Sequence, residues 1–484
     1  MVHLITELSK YTMIILFALY TYQCFSALKR SVDKEGQAEK FKSQVFYMYL
    51  FHLNAYAVLY LSMEKNPEIL KFYLMQVAFF TVVQLCYGIF YKRVSKLVVN
   101  NMCMLMCIGF VMLTRLSYEH AMKQFQIAVV SMALTMLIPF FISRFRYFKS
   151  LTWLYAIAGI SMLGVVATLG AVSKGAKLSF SVAGISIQPS EFIKIIFVFF
   201  VASMFYESTE FIQVVKATVI AGLHVIILVL SKDLGAGLIF FIAYMVMLYV
   251  ATRKLSYFAG GLLCGALASV AAYHLFHHVR VRVVAWQDPL AVFANEGNQV
   301  ANSLFAIGTG GWFGMGLNQG MPYKIPEVKQ DFIFSAVAEE LGGIFAICLI
   351  LVCVSCFLMF LNIAMQIRDS FYKLVALGLG TIYGFQIFLS IGGDIKFIPS
   401  TGVTLPLVSY GGSSLLSTLI IFAIIQGLYL LRERTERDEI QGNKRKNKKD
   451  KKKKDVVKKN PEGRKGVEPE YEESIHGTKV QDLG

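Results

Sequence analysis

Apolar runs long enough to cross a bilayer recur along this sequence, and one long polar stretch breaks the pattern. A transmembrane helix needs about 20 predominantly apolar residues to cross roughly 30 Å of hydrocarbon. Such runs are expected near 11–28, 45–63, 72–91, 98–115, 126–143, 151–172, 191–206, 211–230, 234–251, 257–275, 336–362, 371–391 and 412–431. That is about thirteen spans. With 56% hydrophobic and only 16% charged residues, a string of soluble domains is excluded. The expected fold class is an all-α polytopic membrane protein, since backbone in lipid must satisfy its own hydrogen bonds.

Charge sets the expected orientation. Lys29, Arg30, Lys34, Lys40 and Lys42 lie between the first two runs; Lys92, Arg93 and Lys96 follow the third. Arg144, Arg146 and Lys149 follow the fifth, and Arg253 and Lys254 follow the ninth. With an odd number of spans all of these fall on one side, together with the C-terminal tail, and that side is cytoplasmic. The N-terminus and the segments 173–190, 276–335 and 392–411 are then extracellular. The first run is preceded by a nearly neutral segment and followed by basic residues, so it reads as a retained span rather than a cleaved signal.

The net charge of +16 resides largely in the tail, where residues 444–459 hold eleven Lys/Arg against two Asp. A basic segment just past a span reads as cytoplasmic topology and contact with anionic lipid, not as nucleic-acid binding. From residue 432 the chain is Lys-rich and poor in apolar residues, so residues 432–484 are expected to be disordered. All eight cysteines lie in apolar runs without an accompanying His or carboxylate cluster, which predicts buried packing and neither a disulfide framework nor a metal site.

The polar stretch 276–335 carries Arg280, Arg282, Asp288, Glu296, Gln299, Asn302, Lys324, Glu327, Lys329 and Asp331. Its Trp286, Phe293, Phe305, Trp312 and Phe313 argue for order, and a long ordered segment between spans is commonly functional. Arg280 and Arg282 alternate with valines, which suggests a short extended edge with both guanidinia on one face, suited to phosphate. The structural alternative is a solvated surface.

Asp331 is the last polar residue before an apolar run. It reads either as a helix N-terminal carboxylate or as a general base. Glu339 and Glu340 follow about two helical turns into the membrane, where carboxylates are costly and functional by default. At least one is expected to meet a buried cation or carry a proton, with Glu339 nearer the Asp331 face. Upstream, Gln188-Pro189-Ser190-Glu191 marks a helix start, and Glu191 and Lys194 are i,i+3 neighbours able to pair. Lys194 alternatively meets an anionic lipid head group. Ser231-Lys232-Asp233-Leu234-Gly235 is a short turn in which Asp233 either caps or orients a cation. The Pro-, Gly- and hydroxyl-rich segment 399–414 is expected to be a re-entrant turn buried in protein or lining a cavity.

Taken together and in order, these stretches resemble the SEDS family of membrane peptidoglycan glycosyltransferases (FtsW, RodA, SpoVE). The resemblance covers roughly residues 99–431 and rests on six segments. They are Gln188-Pro189-Ser190-Glu191-x-x-Lys194, Asp233-Leu234-Gly235, Gly297-Asn298-Gln299 with Ser303-Leu304-x-Ala306-Ile307-Gly308, Gln330-Asp331-Phe332-Ile333-Phe334, Glu339-Glu340-Leu341-Gly342, and Pro399-Ser400-Thr401-Gly402 through Ser414. The chain departs from the usual pattern at Leu178-Ser179-Phe180, Ser186, Lys329-Gln330, Ser390 and Gly393-Asp394-Ile395-Lys396.

The resemblance implies a ten-span core at 98–431, preceded by about three extra N-terminal spans at 1–97, with the large extracellular loop before the eighth core span. It implies polymerisation of lipid II outside the cytoplasmic membrane, onto undecaprenyl-pyrophosphate-linked glycan, with Asp331 as the catalytic residue. Glu191, Lys194, Arg280, Arg282, Gln299 and Glu339 are the implied substrate-binding candidates. A class B penicillin-binding protein transpeptidase is the implied partner. No cofactor is identified; a divalent cation is conceivable, but no ligand cluster is legible. The rival readings are a lipid-linked precursor flippase, which would use Glu339 and Glu340 more than Asp331, and a noncatalytic scaffold of a wall-synthesis complex.

Overall fold

A computed structural model describes residues 2–29, 34–145, 147–169, 171–173, 176–182 and 185–459, with side chains described for 5–29, 35–145, 147–168 and 187–437. Arg30, Arg146, residues 460–484 and the side chains of Leu178–Phe180 and Ser186, all used in the sequence reading, lie outside these. The chain divides into a compact unit, Met1–Arg432, and a C-terminal unit from Glu433.

The expected spans each fall on a helix. In chain order they are α1 (Val2–Ala27), α2 (Lys34–Ser62), α3 (Pro67–Phe90), α4 (Lys96–Leu116) and α5 (Tyr118–Thr135), which continues past a break as α6 (Ile138–Arg144). Then come α7 (Thr152–Leu169), α8 (Ser190–Glu207), α9 (Phe211–Leu230), α10 (Leu234–Thr252) and α11 (Leu255–Leu275). After two shorter helices, α12 (His277–Gln287) and α13 (Asn298–Gly310), come α14 (Ile333–Gln366), α15 (Ser370–Asp394) and α16 (Gly412–Lys459). Among the described residues ten helices are long and apolar enough to cross a membrane, α5 and α6 counting as one; α1 is not among them. α7 is shorter, and α8 carries Glu191, Lys194 and Glu207. This is a multi-pass, all-α membrane protein. Its one departure is a small antiparallel meander, β1 (Ala171–Ser173), β2 (Ala176–Val182) and β3 (Ile185–Ile187), in a segment expected to be loop.

Contacts sort the connections onto two ends of the bundle. At one end Lys10 reaches Gly314, Tyr118 reaches Glu68, Gln188 reaches Ser413, and Trp286 reaches Lys396. At the other, Tyr91 bonds Met136, Ser95 bonds Gln426, and Tyr372 bonds Phe145. The alternation matches the span register read from the charges. α4 lies at the centre, its apolar window wholly buried, whereas α11 has no buried residue. Cysteine placement follows: Cys264 on α11 is exposed and Cys86 is half-exposed, contrary to the expectation of burial, while the other six are buried. An apolar thiol satisfies a lipid-facing surface as readily as a core.

Two features of the polar stretch differ from expectation. Residues 277–287 form a helix rather than an extended edge. A lone strand of five residues leaves its backbone groups unpaired, whereas a helix pairs them internally. α14 also breaks directly after the two glutamates, at Gly342 (φ 88°, ψ 167°). The segment after α13 fills the break. Met315 and Gly316 donate to the Glu339 and Glu340 carbonyls, while Gly343 and Ile344 donate to the Gly311 and Trp312 carbonyls. Broken helix at membrane depth is thereby satisfied by protein. Glycine is required on both sides: a β-carbon on Gly314 would lie 2.4 Å from Glu340 O, and one on Gly342 would lie 2.4 Å from Gly314 N.

Disorder was expected from residue 432, but the described backbone of the C-terminal unit is helical as far as Lys459, as the end of α16.

Candidate functional site

Asp331 ends a tight turn, its N–H donating to the Glu327 carbonyl at 3.2 Å. α14 starts two residues later; its cap position is Phe332, and Asp331 stands one residue before it. The side chain is partly exposed, while Phe332 and Ile333 are buried. The structure therefore holds the carboxylate at the rim, between the water-facing segment and the membrane helix.

Arg282 converges on it from α12. Its Nη1 donates to the Ser400 carbonyl at 2.9 Å. A methyl group on Gly402 (φ +72°) would lie 3.5 Å from Asp331 Oδ2 and 3.7 and 3.9 Å from Arg282 Nη2 and Nη1. The bare Gly402 turn thus lies within van der Waals reach of both the carboxylate and the guanidinium fork. Burial works against the Arg282 charge and lowers its proton affinity, while Asp331 and Asp233 support the charged form.

Arg280 does not join this cluster. At about 100° per helical residue, positions two apart point in widely different directions. Arg280 is exposed, bonds the His274 carbonyl and lies over the Tyr273 ring. The expectation that both arginines share a face is corrected by the helical backbone.

Asp233 takes the capping reading. It caps α10 by accepting from Ala236 N–H at 3.1 Å, and it accepts from Ser190 Oγ at 3.0 Å and Gln188 Nε2 at 3.3 Å. Desolvation raises its carboxyl above the usual range against these bonds.

Glu191 and Lys194 pair at 2.7 Å, but the pair is internal. Lys194 is only 2% exposed and also donates to Gln386, while Ser417 donates to Glu191. Lys194 is thus a staple joining α8, α15 and α16, not a cation at the outer surface. Gln386 extends the staple to the Thr404 carbonyl in the re-entrant turn.

Of the two membrane glutamates, Glu340 meets a cation, the partly exposed Arg115. Arg115, at the end of α4, donates to Glu340 Oε1 at 2.9 Å and to the Gly320 carbonyl at 3.1 Å. Glu340 Oε2 accepts from Asn318 N–H, and Glu339 Oε1 accepts from Met321 N–H. Both glutamates pin the 310–321 segment. Gln299 sits partly buried in the first turn of α13, which packs on α14. Among the described residues no group of three or more His, Cys, Asp or Glu side chains is arranged to hold a metal ion.

Sequence reasoning missed Arg115 and Asp394. Arg115 carried a signal: a lone arginine ending a span on the face otherwise poor in basic residues. Asp394 was noticed only as a departure. It is buried, and Asp331 is near enough to act on it electrostatically.

The sequence profile of the FtsW/RodA/SpoVE family, described as cell cycle protein, matches residues 95–433. The chain is similar to peptidoglycan glycosyltransferase RodA of Mycobacterium tuberculosis, 35% identical over 347 residues, covering 66% of this chain and 74% of the relative. It is similar to stage V sporulation protein E of Bacillus subtilis, 32% identical over 300 residues, covering 59% and 80%. In fold it resembles a chain from a structure described as the coordination of polymerization and crosslinking by a peptidoglycan synthase complex. That match has a TM-score of 0.60 at 23% identity, covering 70% of this chain and 98% of the other. It also resembles the rod shape determining protein RodA of Thermus thermophilus, with a TM-score of 0.52 at 23% identity, covering 70% and 97%. This chain belongs to the FtsW/RodA/SpoVE family.

Proposed function

We propose that this protein is a peptidoglycan glycosyltransferase that polymerises lipid II into glycan strands on the outer face of the cytoplasmic membrane. It would serve division, elongation or sporulation. The observation that carries the reading is the convergence of Asp331 and Arg282 on the Gly402 turn. Asp331 takes the proton of the acceptor sugar's 4-hydroxyl. That oxygen attacks the anomeric carbon of a second lipid-linked chain, and undecaprenyl pyrophosphate leaves. Charge accumulates on the leaving diphosphate, and a preorganised guanidinium fork is suited to it. Arg282 fills that role better than Arg280 or Lys194, which face outward and inward respectively.

The reading places residues 1–97 as an added membrane module, 98–431 as a ten-span core and the basic tail in the cytoplasm. A class B penicillin-binding protein supplies crosslinking. The flippase reading needs Glu339 and Glu340 free to engage cargo. Glu340 is instead held by Arg115 and Asn318, which favours the enzyme; Glu339 is bonded through Oε1 alone, to Met321 N–H.

The test is to purify the chain, with and without its transpeptidase partner, supply lipid II and resolve glycan products. Polymer is expected, and Arg282→Ala should slow its formation while Arg280→Ala leaves the rate within about twofold. Translocation of lipid II with no polymer would favour the flippase.

A further inference from the structure

We propose that the N-terminal helices α1–α3 are a positioning element of the site, with Lys10 of α1 holding the 310–321 segment and, through it, the first half of α14, at whose entry Asp331 stands. The proposal rests on the glycosyltransferase reading and gives a role to residues that precede the family profile, which begins at residue 95.

α1 turns polar groups inward. Thr6, Ser9, Tyr20 and Cys24 are buried on it, with Met13 and Phe17 between them, at a helical spacing that keeps all six on one face. Polar side chains inside a membrane bundle bond across helices, and these do. Tyr20 donates to Asn101 Oδ1 on α4 at 2.9 Å, and Asn101 Nδ2 donates to Ser355 on α14 at 2.6 Å. Asn100, next to it on α4, donates to Gln44 of α2 at 2.8 Å. The Phe17 and Phe345 ring centroids lie 4.3 Å apart, so α1 packs on α14 just past the Gly342 break.

Toward its N-terminus α1 reaches the segment that fills this break. Lys10 Nζ lies 2.7 Å from Glu7 and donates to the Gly314 carbonyl at 3.4 Å, from a side chain only 11% exposed. The Tyr11 and Phe313 ring centroids are 5.7 Å apart, and a β-carbon on Gly316 would lie 3.6 Å from Thr6 Cγ2. The N–H groups of Met315 and Gly316 in this stretch are the ones that hold the Glu339 and Glu340 carbonyls. α2 supports the same place from another side. Tyr56 and Thr114 share a hydrogen bond of 2.9 Å, one residue before Arg115, which grips Glu340 and Gly320. The N-terminal helices therefore touch both the segment and the clamp. The first half of α14 has these contacts at one end and Asp331 at the other, and a helix carries a displacement along its length as a stiff element.

The experiment compares Lys10→Met and Lys10→Arg with the wild-type full-length chain in lipid II polymerisation, varying substrate to separate kcat from KM. Amide hydrogen exchange of the peptide holding Met315 and Gly316 is followed in the same samples. Methionine keeps the apolar stem and removes the donor to Gly314. Lys10→Met is then expected to lower kcat about tenfold, with KM within about twofold and faster exchange of that peptide. Arginine keeps a cationic donor, so Lys10→Arg should hold kcat within about threefold of wild type. Leu8→Ala, at an exposed position on α1, should leave both readouts unchanged. Wild-type kcat in Lys10→Met would overturn the proposal, as would a lowered kcat with unchanged exchange, a raised KM at wild-type kcat, or Lys10→Arg as slow as Lys10→Met. If Lys10→Met does not fold, Tyr11→Leu, which takes the ring from Phe313, is read in the same way. Asp331→Asn run in parallel keeps the two ideas apart. If that variant is inactive while Lys10→Met is normal, only the positioning role falls. If it polymerises normally, the reading of Asp331 falls first, and exchange at Met315 and Gly316 alone decides whether α1 holds the segment.

Discussion

Replacing Arg115 with leucine should be among the most damaging single changes in the membrane region. Its side chain is 15% exposed and its Nε lies 2.9 Å from a Glu340 carboxylate whose side chain is fully buried. At an effective dielectric near 20, charges so close attract by about 4 kcal/mol. Removing only the cation strands the Glu340 charge in the interior, with Asn318 N–H as a remaining donor, and breaking a buried pair in this way costs about 3–5 kcal/mol. The reverse variant, Glu340→Gln, should cost less, because partly exposed Arg115 can turn toward water and glutamine still accepts from Asn318. The double variant Arg115→Leu/Glu340→Leu removes both charges. What remains is the loss of the acceptors for Asn318 and of the donor to Gly320, about 1–3 kcal/mol each where the group stays buried. Its destabilisation should therefore fall short of the sum of the two leucine single variants by about 2 kcal/mol or more. Denaturant titration of the detergent-solubilised chain, closed as a double-mutant cycle, measures this. Arg115→Leu within about 1 kcal/mol of wild type, or strict additivity, would refute the clamp.

Gly342→Ala should destabilise the chain by about 3 kcal/mol or more, because φ 88°, ψ 167° is a conformation kept for glycine and the new β-carbon would strike the 312–314 backbone; the same titration checks it. Asp233 predicts a pH signature. Burial raises its carboxyl above 3.8, so the native state binds the proton to higher pH than the unfolded chain does. Its contribution to stability is therefore fullest below 3.8 and declines as pH rises through the raised value, and Asp233→Asn should flatten that part of the stability profile. Lys194→Met should destabilise the bundle by leaving Glu191 with only Ser417, and Lys194→Met/Glu191→Leu should recover much of the loss, measured as melting of the two variants.

Much of the fold was legible because lipid imposes long apolar runs and charge sorts their ends. The alternation of spans was readable on those grounds, and of the segment 399–414 the run 405–409 is buried in protein. The Arg115–Glu340 pair was half legible: depth demanded a cation for one glutamate, but the partner lies 225 residues away in sequence. The α12 helix was misread because Val-Arg-Val-Arg-Val has period two over only five residues, too short to outweigh the absence of a partner strand. The break at Gly342 was hidden in an apolar run that reads as continuous helix, and only the segment packed against it explains it. The Glu191–Lys194 pair was legible from its i,i+3 spacing, but the alternative of a surface cation was not decidable, because sequence locates a residue along a helix, not the helix face that its neighbours cover.

The central claim is that Asp331 takes the acceptor proton. The most direct measurement is the rate of glycan polymer formation from lipid II by the purified chain with its transpeptidase partner, wild type against Asp331→Asn. The account predicts polymer from the wild type and a loss of at least about 100-fold in the variant, with the variant's melting unchanged. Polymer from Asp331→Asn at the wild-type rate would contradict it.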